Sequence, residues 1–575
     1  MKAKKLVTLL VTLPLIAVAS GCNKTKTDAD AVLPENQRLF RDEEERVTLR
    51  QVVHDGEGQG NPAPTNGDSR VLVLPIEFAD YPAEEIAMHY TGEGGTKRYE
   101  GEDAGPGRGA ENARDDIRKV FFGKSEETAW YSLSSYYKSS SYGKLNFNGL
   151  VANWIPAFTN FNTKEMLTTK EFKDNGGTAR ALALDIISWY TNESAKKYKE
   201  FLDDKGMPMF ASGKEFLQYF DSDKDGYIDI VEMVYSAPYH AQYYDEGTGK
   251  WKEVDNDLFW AYCGGTSAAS NPNKPNMSKY AFQSYYTLFE SGYVDNTGKQ
   301  KNWTTKEICD GTAKVDAHTI VHETGHGLGL PDYYNYDTQT APAVGAVDMM
   351  ALNVGDHNSV SKSLLGWTNP VVVKGPTEVT VKSFTDTGEC IYIPYRGYYD
   401  DGSDIDKKNK NTFNTEYIAV ELYTPTGVNV ADSQTPYTGS YPLCPSVPGI
   451  KIYHPDYRLG LFDYSSGAKK FSGYTSTIVS TSSQSYVTHA HSNTTSDTLK
   501  KDNGDSIWVL EYLYKNASKK PAFITNDSLY QEGDVIFDGD HYGDFKMNSG
   551  VDFGYKITVK SLSADSATIL IEAKH

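Results

Sequence analysis

The chain has 575 residues, of which 57 are Lys or Arg and 77 are Asp or Glu, giving a formal net charge of −20. Nucleic acids and anionic membrane surfaces are held through clustered positive charge, so this balance excludes both as principal partners. At 39% hydrophobic and 23% charged residues the chain is neither disordered nor polytopic, and its length suits about three units of roughly 100–200 residues each.

The N-terminus reads as an export signal. Lys2, Lys4 and Lys5 supply a positive start, and the apolar run Leu6 to Val18 is too short to span a bilayer as a stable helix. Ala19-Ser20-Gly21-Cys22 resembles a bacterial lipobox, with alanine where leucine is usual. Removal of residues 1–21 and lipid attachment at Cys22 are expected; ordinary cleavage nearby, with Cys22 left as a free thiol, is the competing reading. The expected location is the bacterial cell envelope, with the membrane engaged only through the N-terminal lipid. Residues 22–69 are polar, contain Glu43-Glu44-Glu45 and a stretch rich in Gly, Pro and Asn from Gly56 to Gly67, and read as a tether or short pro-segment.

Order is expected from the run Val71 to Phe78, which has the continuous apolar character of a buried strand. Helical spacing follows over Glu111 to Phe122 and Ala181 to Tyr190, with a Ser/Tyr-rich segment at Leu133 to Tyr142 and a third helix around His322. Beyond about residue 376 alternating strands take over, at 378–381, 417–422, 450–453 and 567–571. The predicted class is α+β, with a first unit over 70–375 and an all-β sandwich over 376–575. Gly105 to Gly109, Asp400 to Thr415 and Ser465 to Ser485 read as loops, and His489-Ala490-His491 as surface chemistry. Cys263, Cys309, Cys390 and Cys444 permit two disulfides in an oxidising compartment, most simply 263 with 309 and 390 with 444, although spacing does not fix the connectivity.

The densest chemistry lies in His322-Glu323-Thr324-Gly325-His326-Gly327-Leu328-Gly329-Leu330-Pro331-Asp332. Histidines four apart on a helix project from one face and can share one zinc ion at about 2.0–2.1 Å. Glu323, on the flank of that face, is placed to deprotonate a zinc-bound water as general base. Gly329 can stop the helix with positive φ and turn the chain back, so that Asp332 arrives as a third ligand. His318 stands one turn earlier on the same face and can be read as a ligand or, in better accord with tetrahedral geometry, as a supporting residue. Met350, within Val347-Asp348-Met349-Met350-Ala351, is the candidate for an apolar methionine turn beneath the histidines, in preference to Met349.

A second metal site is written in Asp221-Ser222-Asp223-Lys224-Asp225-Gly226-Tyr227-Ile228-Asp229-Ile230-Val231-Glu232, which fits the twelve-residue EF-hand loop. Asp221, Asp223 and Asp225 offer carboxylates, Tyr227 a carbonyl, Asp229 a direct or water-mediated contact, and Glu232 a bidentate closure. Since residues 228–234 look like a strand, a structural helix-loop-strand site for at least one calcium ion (Ca2+) is expected.

HExxHxxGxxD, the Asp-x-Met segment and Lys362-Ser363-Leu364-Leu365-Gly366-Trp367 together resemble the immune inhibitor A family of secreted bacterial metallopeptidases. Glu77-Phe78-Ala79-Asp80, Tyr136-Tyr137 through Leu145, Asp257 to Trp260 and Pro448 to His454 agree in order, so the likeness spans about residues 70–460. The resemblance implies a metzincin-like catalytic unit and an endopeptidase with one catalytic zinc (Zn2+), ligands His322, His326 and Asp332, and Glu323 as base. Its substrates are protein or peptide, with no nucleic-acid partner, and a monomer is expected. Family members usually carry a sizeable pro-segment, for which residues 23–69 are short. The rival reading is a catalytically silent surface lipoprotein that binds host protein or glycan through its β-sandwich.

Overall fold

The computed structural model describes residues 50, 60–86, 107–156, 178–238, 242–245, 247–248, 250–253, 260–334, 343–398, 416–438, 441–463, 470–475, 485–489, 507–515, 521–538 and 542–574. The export signal, Cys22, the loop 400–415 and His491 lie outside them, as do Gly105 and Pro106.

The run at 71–78 is the heart of β1 (Gly67–Glu77), which pairs in parallel with β2 (Leu145–Val151), the short β3 (Ile155–Pro156) and β4 (Ile230–Tyr235). β5 (Tyr262–Gly265) and β6 (Lys279–Ser284) complete the sheet: β6 lies parallel to β4, and β5 runs antiparallel at the edge. A strand apolar on both faces must be covered on both, and helices do this. On one side stand α1 (Ala110–Phe122) and α2 (Leu133–Ser140); on the other, α3 (Thr178–Tyr190) and α4 (Gly213–Tyr219). The first side also carries α5 (His318–Gly327), the helix expected around His322. Val71, Val73, Ile230 and Val234 join Ile320 and Val321 of α5, while Leu72, Leu74, Ile76, Val231 and Met233 join Leu182, Ile186 and Phe216. Each such side chain contributes about 1.5–3 kcal/mol on full burial, so the pleat of β1 and β4 fixes which residues α5 meets.

The Ser/Tyr-rich segment is helical because Ser132 and Ser135 form a reciprocal capping box, and Leu133, Tyr136, Tyr137 and Ser140 recur at helical spacing on the buried face. Further along come α6 (Met349–Leu352), α7 (Ser359–Leu364) and α8 (Asn429–Gln434), all short. Among the described residues the tail forms three sheets; the smallest pairs Leu459–Asp463 antiparallel with Lys470–Thr475 and Ser485–His489, so part of the segment 465–485 read as a loop is a strand. The other two are larger. One has the order β7 (Asn369–Val372), β9 (Glu389–Ile393), β10 (Ile418–Tyr423), β11 (Gly449–Pro455) and β12 (Leu510–Tyr512). The other has β8 (Thr377–Lys382), β15 (Ser566–Ala573), β14 (Tyr555–Leu562) and β13 (Val535–Ile536). Ile391, Ile393, Ile418, Val420 and Leu422 face Ile557, Val559, Ile569 and Ile571 across a shared core. The alternate residues Tyr392, Ala419 and Tyr423 instead enter the core that contains α5. The central strands β9, β10 and β11 are therefore buried on both faces and weld the two halves together. Tyr512 and Ile524 donate their N–H groups to Ala343 O (2.7 Å) and Gly345 O (2.9 Å), pinning the approach to α6. The architecture is α+β, and no helix among the described residues is long and apolar enough to cross a membrane.

Residues 60–69, read as the end of the tether, belong instead to the folded body. Ala63 N–H donates to Gly327 O at 2.9 Å, Trp367 Nε1 to Thr65 O at 2.8 Å and Gly67 N–H to Lys144 O at 2.8 Å. A segment rich in Gly and Pro makes few hydrogen bonds to itself, and these are taken up by the surface it lies on. The permitted disulfides are a second difference, since Cys263, Cys309, Cys390 and Cys444 are all free. Cys390 points from β9 into the core, whereas Cys444 packs against Gly355 and donates its N–H to Asp432 O. Denaturation without reductant followed by alkylation should therefore label all four thiols in peptide mass spectra. Any disulfide-linked pair among them would contradict this packing.

Candidate metal centre

α5 ends in a Schellman motif. Gly329, at φ +95°, donates its N–H to His326 O (2.9 Å), and Leu330 donates to Gly325 O (3.0 Å). A side chain at Gly329 would also press on Arg50 and Pro62. The turn sends Leu330-Pro331-Asp332 back beneath the helix, where Asp332 Oδ1 lies 3.0 Å from His322 Nε2 and 3.2 Å from His326 Nε2. The two imidazoles are nearly perpendicular, at 87°, with centroids 4.9 Å apart.

The donor set fits zinc. Ligand atoms at 2.0–2.1 Å from a tetrahedral ion stand about 3.3 Å from one another, close to the spacings seen here. His322 Nδ1–H donates to Met349 O at 2.7 Å and His326 Nδ1–H to Leu330 O at 2.8 Å. Each carbonyl fixes the ring and leaves the Nε2 lone pair facing the cluster. Burial disfavours charge on both histidines, but the Asp332 carboxylate outweighs it and raises both, His326 up to about 10. Against its own burial, Asp332 is held well below the carboxylate range by the same two rings. The site thus demands positive charge between the three side chains.

Glu323 is buried beside this cluster. Burial raises its carboxyl, the His322 and His326 charges pull it back, and the Cys263 N–H of edge strand β5 donates to it. Gly325, between the histidines, is closely approached by Met350: a Cβ there would fall 2.4 Å from the Met350 Sδ. Met350 O in turn accepts the Tyr333 N–H at 2.8 Å, tethering the residue after Asp332. Asp348 caps α6 by accepting the Met350 N–H at 2.9 Å and takes the Asn358 side chain at 2.8 Å. The Met349 carbonyl, rather than its side chain, serves His322.

His318 is drawn away from the cluster. Its Nδ1 sits 2.7 Å from Asp316 Oδ1, its Nε2 3.3 Å from Asp432 Oδ1 of α8, and its ring stacks on Trp130 with centroids 3.8 Å apart. It braces the helix against the C-terminal half.

At the second site, Asp221, Asp223 and Asp225 bring one oxygen each within 4.8 Å of the others. Gly226 takes φ +90°, and a Cβ there would strike Ser270 and Asn271. Burial pushes Asp225 up to about 6 against the Tyr227 N–H, with the Asp223 and Asp221 charges adding to it. Tyr227 opens a two-residue strand paired with Asn276–Met277. Asp229 and Glu232 depart from the expected ligand set. Asp229 accepts from the Arg70 N–H (2.7 Å), the Ser222 N–H (3.0 Å) and the Ser222 hydroxyl (2.6 Å), closing the loop onto β1. Glu232 lies within β4, whose pleat aims it at α5: it accepts from the Thr324 hydroxyl at 3.0 Å and from Gln283 at 3.4 Å. Burial pushes it up to about 8. The strand ends the loop three residues too early for a bidentate closure.

Cys263, Thr324, Glu232 and the carbonyls of Met349 and Leu330 are not legible in the sequence as parts of this centre. Their contributions are backbone groups or cross-strand contacts, which leave no residue-type signature. No protein-family model and no curated protein matches the chain.

Proposed function

We propose that the chain is a zinc-dependent endopeptidase of metzincin-like design acting on extracellular proteins. The observation that carries the reading is the convergence of His322, His326 and Asp332 beside a buried, backbone-oriented Glu323. His322, His326 and Asp332 would hold a zinc ion, which would supply Lewis acidity toward the scissile carbonyl and a water molecule. Glu323 accepts the proton of the attacking water and delivers it to the leaving amine, and its burial raises the carboxyl's proton affinity in the direction that this exchange needs. The Cys263 N–H holds that carboxylate in place, and β5, as the edge strand, presents its backbone to an extended substrate. Asp221, Asp223 and Asp225 would hold a calcium ion, which would brace the loop before β4. The leader residues Lys2 to Cys22 support export and a lipid anchor, and the acidic body is kept off anionic headgroups by its own charge.

The test is mass spectrometry of a mixed peptide library incubated with the protein, with and without a zinc chelator. Discrete internal cleavages that vanish with chelator and return with added zinc are expected; an unchanged library overturns the proposal.

A further inference from the structure

The segment 60–63 touches both candidate metal sites. Asn61 Nδ2 donates to Asp225 Oδ2 at 2.6 Å, while its backbone N–H and O are both taken by the Ser278 hydroxyl. Two residues on, the Ala63 N–H donates to Gly327 O at 2.9 Å, the closing carbonyl of α5. Arg50 ties the same place from above, its Nη1 donating to Ala63 O at 3.1 Å and to Leu328 O at 3.3 Å. Pro62 packs over Gly329, the residue that turns the chain toward Asp332. A shift of this segment by a fraction of an ångström is therefore felt at a carboxylate of one site and at the turn that supplies a ligand to the other.

The acidic loop also shows its need for a ligand. Asp221 is 4% exposed, and its Oδ1 is buried without a hydrogen-bond partner in the space it shares with Asp223 and Asp225. An unpaired buried carboxylate oxygen is costly, and a divalent cation satisfies it while relieving the repulsion among the three charges. The cation fixes Asp225, and Asp225 fixes Asn61.

We propose that residues 60–63 are a coupling strap: a divalent cation in the 221–225 loop and a zinc ion at His322, His326 and Asp332 each strengthen the binding of the other through Asn61 and Ala63. The inference rests on both metal assignments made above. It adds that they are thermodynamically linked and names the link. Coupling between sites is reciprocal, so a single factor must appear in both affinities.

The experiment is calorimetric titration of calcium into the full chain, zinc-loaded and zinc-stripped, together with competition for zinc by a chromophoric chelator with and without calcium. Calcium is expected to bind at least about fivefold more tightly to the zinc-loaded protein, and zinc to gain by the same factor from calcium. Asn61→Ala and Ala63→Pro cut the strap at opposite ends without touching any metal donor, and each should bring the factor to about one by removing the link. Equal calcium affinities in the two wild-type states would overturn the coupling while leaving both sites and the peptidase reading intact. Absence of calcium uptake in either state would overturn the loop assignment and the coupling together, but not chelator-sensitive cleavage. A factor that survives in both variants would overturn the strap as the route.

Discussion

Glu323→Ala should lower turnover on casein by at least about 10²–10⁴-fold, the range for a lost general base, with zinc content unchanged. The two halves of this expectation have separate structural sources. The three donors proposed for zinc do not include Glu323, and the two imidazoles among them are oriented by Met349 O and Leu330 O, which the substitution does not touch. Proton transfer has no substitute of comparable position, because Glu323 is the carboxylate that β5 holds through the Cys263 N–H. Glu323→Gln sharpens the test: it preserves shape and an acceptor for that N–H but cannot carry the proton, so it should be as inactive as the alanine variant. Wild-type turnover in either variant, measured beside metal content, would sink the mechanism.

His318→Leu should destabilise the protein by about 3–5 kcal/mol, read as a lower denaturant midpoint at pH 7. The residue lies between two buried carboxylates, Asp316 and Asp432, and leucine would leave both without their cation. Burial alone would keep this imidazole neutral; the Asp316 and Asp432 charges outweigh it and raise it from 6.5 to about 10. A group raised on folding stabilises fully below its unfolded value, and that stabilisation is lost as pH climbs toward the folded one. The wild-type protein should accordingly weaken between about pH 6.5 and 10, and the leucine variant should show much less of that slope. An unchanged midpoint at pH 7 would mean that the ion triad is neutral to stability.

Much of the candidate metal centre is legible in the amino-acid sequence because its chemistry is local. His322, His326, Gly329 and Asp332 lie within eleven residues, and helix periodicity plus one αL glycine suffices to bring them together. β1 is legible for a similar reason, since a continuous apolar run has few other destinations. The misreadings share a different cause. Glu232 occupies the twelfth position of a calcium loop, yet sheet register with β1, opposite Val73, decides where it points. Residues 60–66 look like a linker in composition, and only their partners at Gly327 and Trp367 make them structural. The free thiols of Cys390 and Cys444 follow from the strand and loop that carry them, which pairing by number could not foresee.

The bonds from Tyr512 to Ala343 and from Ile524 to Gly345 bear on the order in which the chain is made. A ribosome delivers the HExxH helix nearly two hundred residues before Ile524, so the floor beneath the histidines is finished only near the end of synthesis. A nascent or truncated chain carries every ligand and the base without a completed bed for them. On the proposed reading of an exported peptidase, competence to cut would be deferred until the whole polypeptide had emerged and closed, away from the machinery that made it.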